Sequence, residues 1–108
     1  MKRGQIVTVA TQGDYGEPRP AVVIQSDWLS DTDSILVCLI TTVQRDAQFY
    51  RFDLPADELT GLQKPSQIMV EKITAVRREK CGATIGSIDA TALISLNRLL
   101  ALMIGVAD

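Results

Sequence analysis

Histidine is absent from this chain of 108 residues. Its absence excludes a Ser-His-Asp triad, a pair of histidines acting as general acid and base, and any metal site with histidine ligands. Catalysis by this chain must therefore use arginine, lysine, tyrosine, hydroxyl groups or carboxylates.

Cysteine and long apolar runs are scarce as well. Cys38 lies in an apolar strand pattern and is predicted to be a small core residue, whereas Cys81 precedes Gly82 in a predicted turn. The longest apolar run, 99–107, has about half the length that a membrane helix needs. The first residues lead into a strand pattern and not into the apolar core of a signal peptide. We therefore expect a cytoplasmic protein without a membrane span.

An excess of basic charge is also lacking. The formal net charge is −2, so no overall positive field indicates a nucleic-acid partner. Hydrophobic residues make up 46% and charged residues 22%, and no repeat or linker is visible, which predicts a single domain over residues 1–108. The basic residues are nevertheless grouped, at Lys2 and Arg3 and again at Lys72, Arg77 and Arg78.

The hydrophobic pattern predicts short strands in the first three-quarters of the chain. Some segments alternate between apolar and polar residues, and others are continuous apolar runs of strand length. The predicted strands are 5–10, 20–25, 34–42, 48–54, 66–70 and 73–78.

After Gly82 the pattern becomes helical. Asp89 is the predicted N-cap, and Gly105 is predicted to close the helix. Its apolar stripe is predicted to belong to the core or to a dimer interface, and it consists of Leu93, Leu96, Leu100 and Met103. Short strands followed by one amphipathic helix predict an α+β fold with a small, curved antiparallel sheet or barrel.

Arg19 is a candidate for phosphate binding. A loop of turn residues, 11–18, leads to it, and Pro20 after it favours an extended backbone and lacks an N–H group. A planar guanidinium held at a sheet edge suits phosphate oxygens. The alternative is a surface arginine paired with a nearby carboxylate.

The aromatic residues are few, and Trp28 is the only tryptophan. Trp28 is predicted to be a partly buried anchor. Stacking of Trp28 and Tyr15 on unpaired bases is the alternative.

Four segments form a series that matches one family in order. Residues 2–9 contain Arg-Gly-Gln-Ile before a strand, and 16–27 contain Arg-Pro, an apolar strand and a Ser-Asp turn. Residues 36–42 end an apolar strand in Thr-Thr, and 68–76 hold two short apolar strands around Glu-Lys. Together with the C-terminal helix, these segments resemble the MazF/PemK family of toxins over essentially the whole chain.

The resemblance implies a fold and an activity. The fold is an SH3-like barrel of the CcdB/PemK type. The implied function is that of a type II toxin–antitoxin toxin: a homodimer that cuts single-stranded RNA without a metal ion or other cofactor. The implied protein partner is an acidic antitoxin that lies across the active site.

The resemblance also assigns roles by position. Arg19 and Thr41 are the implied catalytic residues. Asp14 and Glu71 fall where members carry acidic residues, and each is a possible acid, base or substrate-binding group. The residues expected to follow the RNA phosphates are Lys2, Arg3, Lys72, Arg77 and Arg78. One departure is Met69, which stands where some PemK-like members have a second catalytic arginine.

The implied chemistry agrees with the missing histidine, because RNA carries its own nucleophile in the 2′-hydroxyl. A guanidinium can stabilise the charge that develops on the phosphorus. Two alternatives on the same fold remain: a CcdB-like poison of DNA gyrase, and a protein without catalytic activity that binds the antitoxin.

Overall fold

The computed structural model describes residues 1–10 and 17–107, which form a six-stranded antiparallel sheet followed by a helix. The strands are β1 (Gln5–Val9), β2 (Arg19–Val23), β3 (Ser34–Thr41), β4 (Arg51–Leu54), β5 (Ser66–Arg77) and β6 (Cys81–Ser87). A short 3₁₀ turn spans Arg78–Lys80, and the helix α1 spans Ala90–Met103. The spatial order of the strands is β4-β5-β3-β2-β1-β6.

The sheet must curl on itself, because the strands β5 and β6 are joined by only three residues, Arg78–Lys80. In a flat sheet of this order the two strands would stand four spacings apart, or about 19 Å at about 4.8 Å each. The chain from Arg77 to Cys81 reaches at most about 14 Å even when fully extended. The expected curved sheet is therefore confirmed, and the backbone N–H of Ala10 donates to the Lys80 carbonyl at 2.9 Å beside this connection.

The curl gives the sheet two apolar faces, each with its own cluster of buried residues. Neighbouring residues of one strand, such as Ile6 and Val7, belong to different clusters because strand side chains alternate between faces. The cluster on the helix side includes Leu96 and Leu100 of α1 and also Cys38, which is buried as predicted. The other cluster lies on the opposite face of the sheet, where Val76 of β5 and the half-buried Cys81 of β6 both pack.

The helix begins and ends where the sequence predicts. The Asp89 carboxylate accepts from the backbone N–H of Ala92 at 2.8 Å, as an N-cap does, and Gly105 follows the last turn with a φ of +79°. No helix in residues 1–10 and 17–107 has the length and apolar character needed to span a membrane.

The predictions for three regions of the chain need correction. The strands predicted at 66–70 and 73–78 are one strand, because a bulge opposite Leu39 shifts the register from Ile40↔Ile68 to Cys38↔Ile73 and keeps both apolar segments on the core. The predicted strand 48–54 begins only at Arg51, after a turn. The predicted turn at Cys81–Gly82 is the start of β6, a strand without a fully buried residue and hence without a hydrophobic pattern.

The connector between β4 and β5 packs directly on β6. The Ser87 backbone N–H donates to the Leu59 carbonyl at 2.9 Å. A Cβ built on Gly86 would stand 2.1 Å from the Thr60 carbonyl oxygen, so only glycine allows this approach.

We predict that Gly86→Ala destabilises the fold by about 1–3 kcal/mol, because the added methyl group must displace backbone atoms. Gly82→Ala in the same strand is the matched control: its Cβ would meet chiefly the Thr8 hydroxyl, at 2.5 Å, and that side chain can rotate away. Urea denaturation of both variants measures the difference. Equal stabilities of the two variants would contradict the prediction.

Candidate active site

Arg19 and Thr41 lie at the same end of neighbouring strands. Arg19 is the first residue of β2 and Thr41 the last residue of β3. The pairing of these strands runs through Val23↔Val37 and Ala21↔Leu39, and the same register continued by two residues brings Arg19 opposite Thr41. Opposite residues of an antiparallel pair share a face, so the guanidinium and the hydroxyl belong to one surface.

Arg19 is also fixed from its other side. Its backbone pairs with Val9 of β1, which in turn pairs with Cys81 of β6. Val9 is buried, whereas the Arg19 side chain is exposed. The sheet thus holds the backbone of Arg19 while its charge faces solvent.

The Thr41 hydroxyl has a defined role in the backbone turn after β3. Its Oγ1 accepts from the backbone N–H of Val43 at 3.1 Å. Because the oxygen is the acceptor in this bond, the hydroxyl proton is left to donate elsewhere. Thr41 is half-buried, so this donor is held at the surface and not on a flexible tip.

Next to Thr41 lies a polar network that the sequence did not predict. Its centre is Arg51 of β4, whose Nε donates to both carboxylate oxygens of Glu71 at 3.2 and 3.1 Å. Nη1 of Arg51 donates to the Val43 carbonyl at 3.2 Å and to Oε1 of Gln67 at 3.1 Å. Gln67 is buried and pairs with Thr41 across the sheet.

Glu71 therefore lies in an ion pair, with a side chain that is 23% exposed, while Arg51 is 7% exposed. The sequence drew attention to Met69 as a position that lacks a second arginine. In the structure Arg51 is the cross-strand partner of Met69, so a second arginine comes from the neighbouring strand. Only the register of β4 and β5 reveals this, since the two residues are far apart in sequence.

A cavity of about 400 Å³ opens beside this network. Charged and apolar side chains both line it, among them Arg45, Arg51, Phe52 and Asp53. Its volume lies in the range of small-molecule sites.

The basic residues predicted to follow RNA do not gather at this end of the sheet. Arg77 pairs with Ser34 at the start of β3, and at about 3.3 Å per residue that is about 23 Å along the strand from Thr41. Arg77 forms an ion pair with Glu79 at 2.7 Å, and the Arg78 guanidinium donates to Thr32.

At the N-terminus the same holds for Arg3, whose Nε donates to the Ile24 carbonyl at 2.8 Å, just past the end of β2 that is remote from Arg19. Lys2, exposed beside it, donates its backbone N–H to Gln5. Lys72 differs, because it is exposed in the bulge next to Glu71.

Other predicted residues have varied outcomes. Asp14 and Tyr15 lie outside the described residues. The expectation that Trp28 is a partly buried anchor is wrong for this chain, since its side chain is 95% exposed. Burial raises the pKa of the Cys38 thiol to about 12, with a smaller contribution from the Glu71 carboxylate, so Cys38 is not a nucleophile.

Within residues 1–10 and 17–107, no group of three or more Cys, Asp or Glu side chains is arranged to hold a metal ion.

Comparison with known proteins identifies relatives over the whole chain. Residues 2–104 match the family described as the PemK-like, MazF-like toxin of type II toxin–antitoxin systems. Over 108 residues the chain is 35% identical to the probable endoribonuclease MazF of Mycolicibacterium smegmatis, and the match covers 99% of each protein.

Solved structures of similar fold agree. An endoribonuclease in complex with its cognate antitoxin, from a mycobacterial species, superposes with a TM-score of 0.82 at 16% identity, covering 100% of this chain and 98% of that chain. The Mycobacterium tuberculosis toxin MazF-mt6 gives 0.82 at 18% identity, with 96% and 98% covered. A chain of the MazE–MazF structure from Deinococcus radiodurans gives 0.78 at 18% identity, with 97% and 95% covered.

Proposed function

The chain belongs to the family of PemK-like, MazF-like toxins of type II toxin–antitoxin systems; from this premise we propose that it is a metal-independent endoribonuclease acting on single-stranded RNA. The observation that carries the proposal is the meeting of Arg19 and Thr41 at one end of β2 and β3. A guanidinium carried on a strand whose backbone is held in the sheet, beside a hydroxyl donor, suits a phosphodiester whose own 2′-hydroxyl is the nucleophile.

In the proposed reaction the 2′-hydroxyl gives its proton to a general base and attacks the adjacent phosphorus, while the bond to the 5′-oxygen breaks and this oxygen takes up a proton from water. The products are a 2′,3′-cyclic phosphate and a 5′-hydroxyl. Arg19 binds two non-bridging oxygens and stabilises the charge that develops on them. Thr41 donates its hydroxyl proton to the phosphate, since its oxygen already accepts from Val43.

The general base is a carboxylate in this proposal, and the two candidates are Asp14 and Glu71. Both oxygens of Glu71 accept from the Arg51 guanidinium, which commits this carboxylate to an ion pair. We therefore propose that Glu71 holds the site together; Asp14, five residues before Arg19 in the sequence, is the remaining candidate for the base.

RNA binding in this proposal depends on local contacts. Lys72, exposed beside Glu71, is the proposed phosphate contact nearest to the site. The other predicted contacts lie away from this end of the sheet, and in this proposal they bind a longer RNA or the RNA on a second protomer. They are Lys2, Arg3, Arg77 and Arg78. The cavity lined by Arg45, Asp53 and Gln67 is the proposed place for a nucleotide next to the scissile bond.

The proposed protein partner is an antitoxin, as in the mycobacterial complex of similar fold. The proposed assembly is a homodimer. Its support is the exposed apolar end of α1 and the residues after it, where Ile104 is 63% and Val106 is 74% exposed. Apolar side chains grouped in this way at a surface are typical of an interface.

We predict that the protein sediments as a dimer at micromolar concentration, because pairing would remove these apolar side chains from water. The variant Ile104→Asp with Val106→Asp should shift the mass towards the monomer while the circular dichroism stays unchanged. A wild-type monomer at these concentrations would contradict the proposed assembly.

We predict that the pure protein cuts a long RNA of mixed sequence in the presence of EDTA. Its fragments should accept label from polynucleotide kinase without phosphatase treatment, because cleavage leaves 5′-hydroxyl ends. Loss of activity in EDTA with recovery in Mg²⁺ would overturn the mechanism. Intact RNA together with gyrase-dependent DNA breaks would indicate the CcdB-like alternative, and intact RNA with antitoxin binding alone would indicate the protein without catalytic activity.

We predict that Arg19→Lys and Arg19→Ala lose activity almost equally, by about a hundred- to a thousand-fold, because lysine keeps the charge but not the planar fork. Thr41→Ala should lose less, and Thr41→Ser should keep much of the activity since its hydroxyl remains. RNA cleavage rates measure the ranking, with Arg98→Lys on the exposed face of α1 as the control. Near wild-type cleavage by a folded Arg19→Ala variant would show that Arg19 has a structural role only.

A further inference from the structure

The segment after β3 follows Thr41 directly but has no regular structure of its own. Residues 42–47 form neither strand nor helix. Their position depends on hydrogen bonds to side chains of β4 and β5, the two strands next to them at this edge of the sheet. The side chains that bind this segment therefore influence the geometry around Thr41.

Arg51 is the centre of these bonds. Its guanidinium links two partners on β5 to the segment, since Nε binds Glu71 while Nη1 binds both Gln67 and the Val43 carbonyl. Only 7% of the Arg51 side chain is exposed, and its Nε and Nη1 donors are already bonded to Glu71, Gln67 and the Val43 carbonyl. We therefore consider what Arg51 does through the groups that it contacts.

Gln67 fixes the same segment at a second point. Its Oε1 accepts from the backbone N–H of Arg45 and its Nε2 donates to the Arg45 carbonyl, both at 3.0 Å. The side chain thus pairs with the backbone as a neighbouring strand would. Arg51 orients this amide by donating to the same Oε1, and Asp53 does so by accepting from Nε2 at 2.9 Å.

These bonds lead to the Thr41 hydroxyl within one residue. The carbonyl of Val43 accepts from Arg51, and the N–H of the same residue donates to Oγ1 of Thr41. Arg51 and Thr41 therefore bind the two backbone polar groups of Val43, its carbonyl and its N–H. A displaced Val43 would release the Thr41 hydroxyl from its present orientation.

We propose that Arg51 is a positioning residue that sets the donor direction of the Thr41 hydroxyl through Val43, with Gln67 and Glu71 as the residues that hold the guanidinium in place. This inference rests on the proposed ribonuclease function. Lysine cannot replace Arg51, because its single ammonium group cannot serve Glu71, Gln67 and Val43 in fixed directions at once.

The test is a double-mutant cycle with Arg51→Lys, Thr41→Ala and the variant carrying both, with Arg98→Lys as the matched control. Arg51→Lys should lower kcat by about ten-fold, and by no more than Thr41→Ala does, because it displaces the Thr41 hydroxyl and leaves Arg19 in place; the change in KM should be smaller. In the Thr41→Ala background the same substitution should cost little, because its target is gone. Equal losses in both backgrounds, or no loss in either, would overturn the proposal.

Amide hydrogen exchange tests the positioning without RNA. The amides of Val43 and Arg45 should exchange faster in Arg51→Lys than in the wild type, while amides of the buried β2 strand stay protected. Unchanged exchange at Val43 and Arg45 would overturn the proposal. If the wild type does not cut RNA, the proposed function fails, and exchange alone decides the positioning role.

A second variant tests the proposal in case Arg51→Lys does not fold. Arg51→Gln combined with Glu71→Gln removes both charges of the buried pair and leaves a neutral hydrogen-bonded pair. This double variant should show the same fast exchange at Val43. Its loss of kcat should likewise disappear in the Thr41→Ala background. Wild-type exchange in this folded double variant would also overturn the proposal.

Discussion

The three-residue connection between β5 and β6 is the constraint on which the rest of the structure depends. It forces the sheet to close on itself, and the closed sheet carries two apolar clusters, one on the helix side and one on its opposite face. It also supplies β6 as the neighbour of β1, which in turn holds the first residue of β2. Arg19 thus stands on a strand that is paired on both sides although its own side chain is exposed.

The second constraint is the polar network around Arg51. A largely buried ion pair such as Arg51–Glu71 is a weak source of stability, because desolvation of both charges offsets much of their attraction. Apolar residues of similar size would fill the same space without the cost of desolvating two charges. The pair instead gives direction: a guanidinium with fixed donors orients an amide, a carboxylate and a backbone carbonyl together. At this edge of the sheet the polar network sets the directions of side chains and backbone groups, whereas the apolar clusters stabilise the fold.

Sequence reasoning succeeded where a local signal exists and failed where the determinant is long-range. The helix was predictable because Asp89, the apolar stripe and Gly105 are all local signals, and the buried strands were predictable from their apolar runs. The strand β6 was missed because none of its side chains is fully buried and its pairing with β1 decides its conformation. In the same way Arg19 and Thr41 could be named from motifs, whereas Arg51 emerged only from the register that sets it opposite Met69.

The distribution of charge completes the physical account of the candidate site. A net charge of −2 gives no long-range attraction for a polyanion, so productive binding must come from fixed contacts within about a Debye length of the site. Most of the basic groups named from the sequence are remote from Arg19 along the strands or are already bound to protein partners. A site of this kind gains little from general attraction to RNA and much from the direction of each donor. This is the physical reason to expect that specificity depends on the Thr41–Arg51 edge of the sheet more than on the total basic charge.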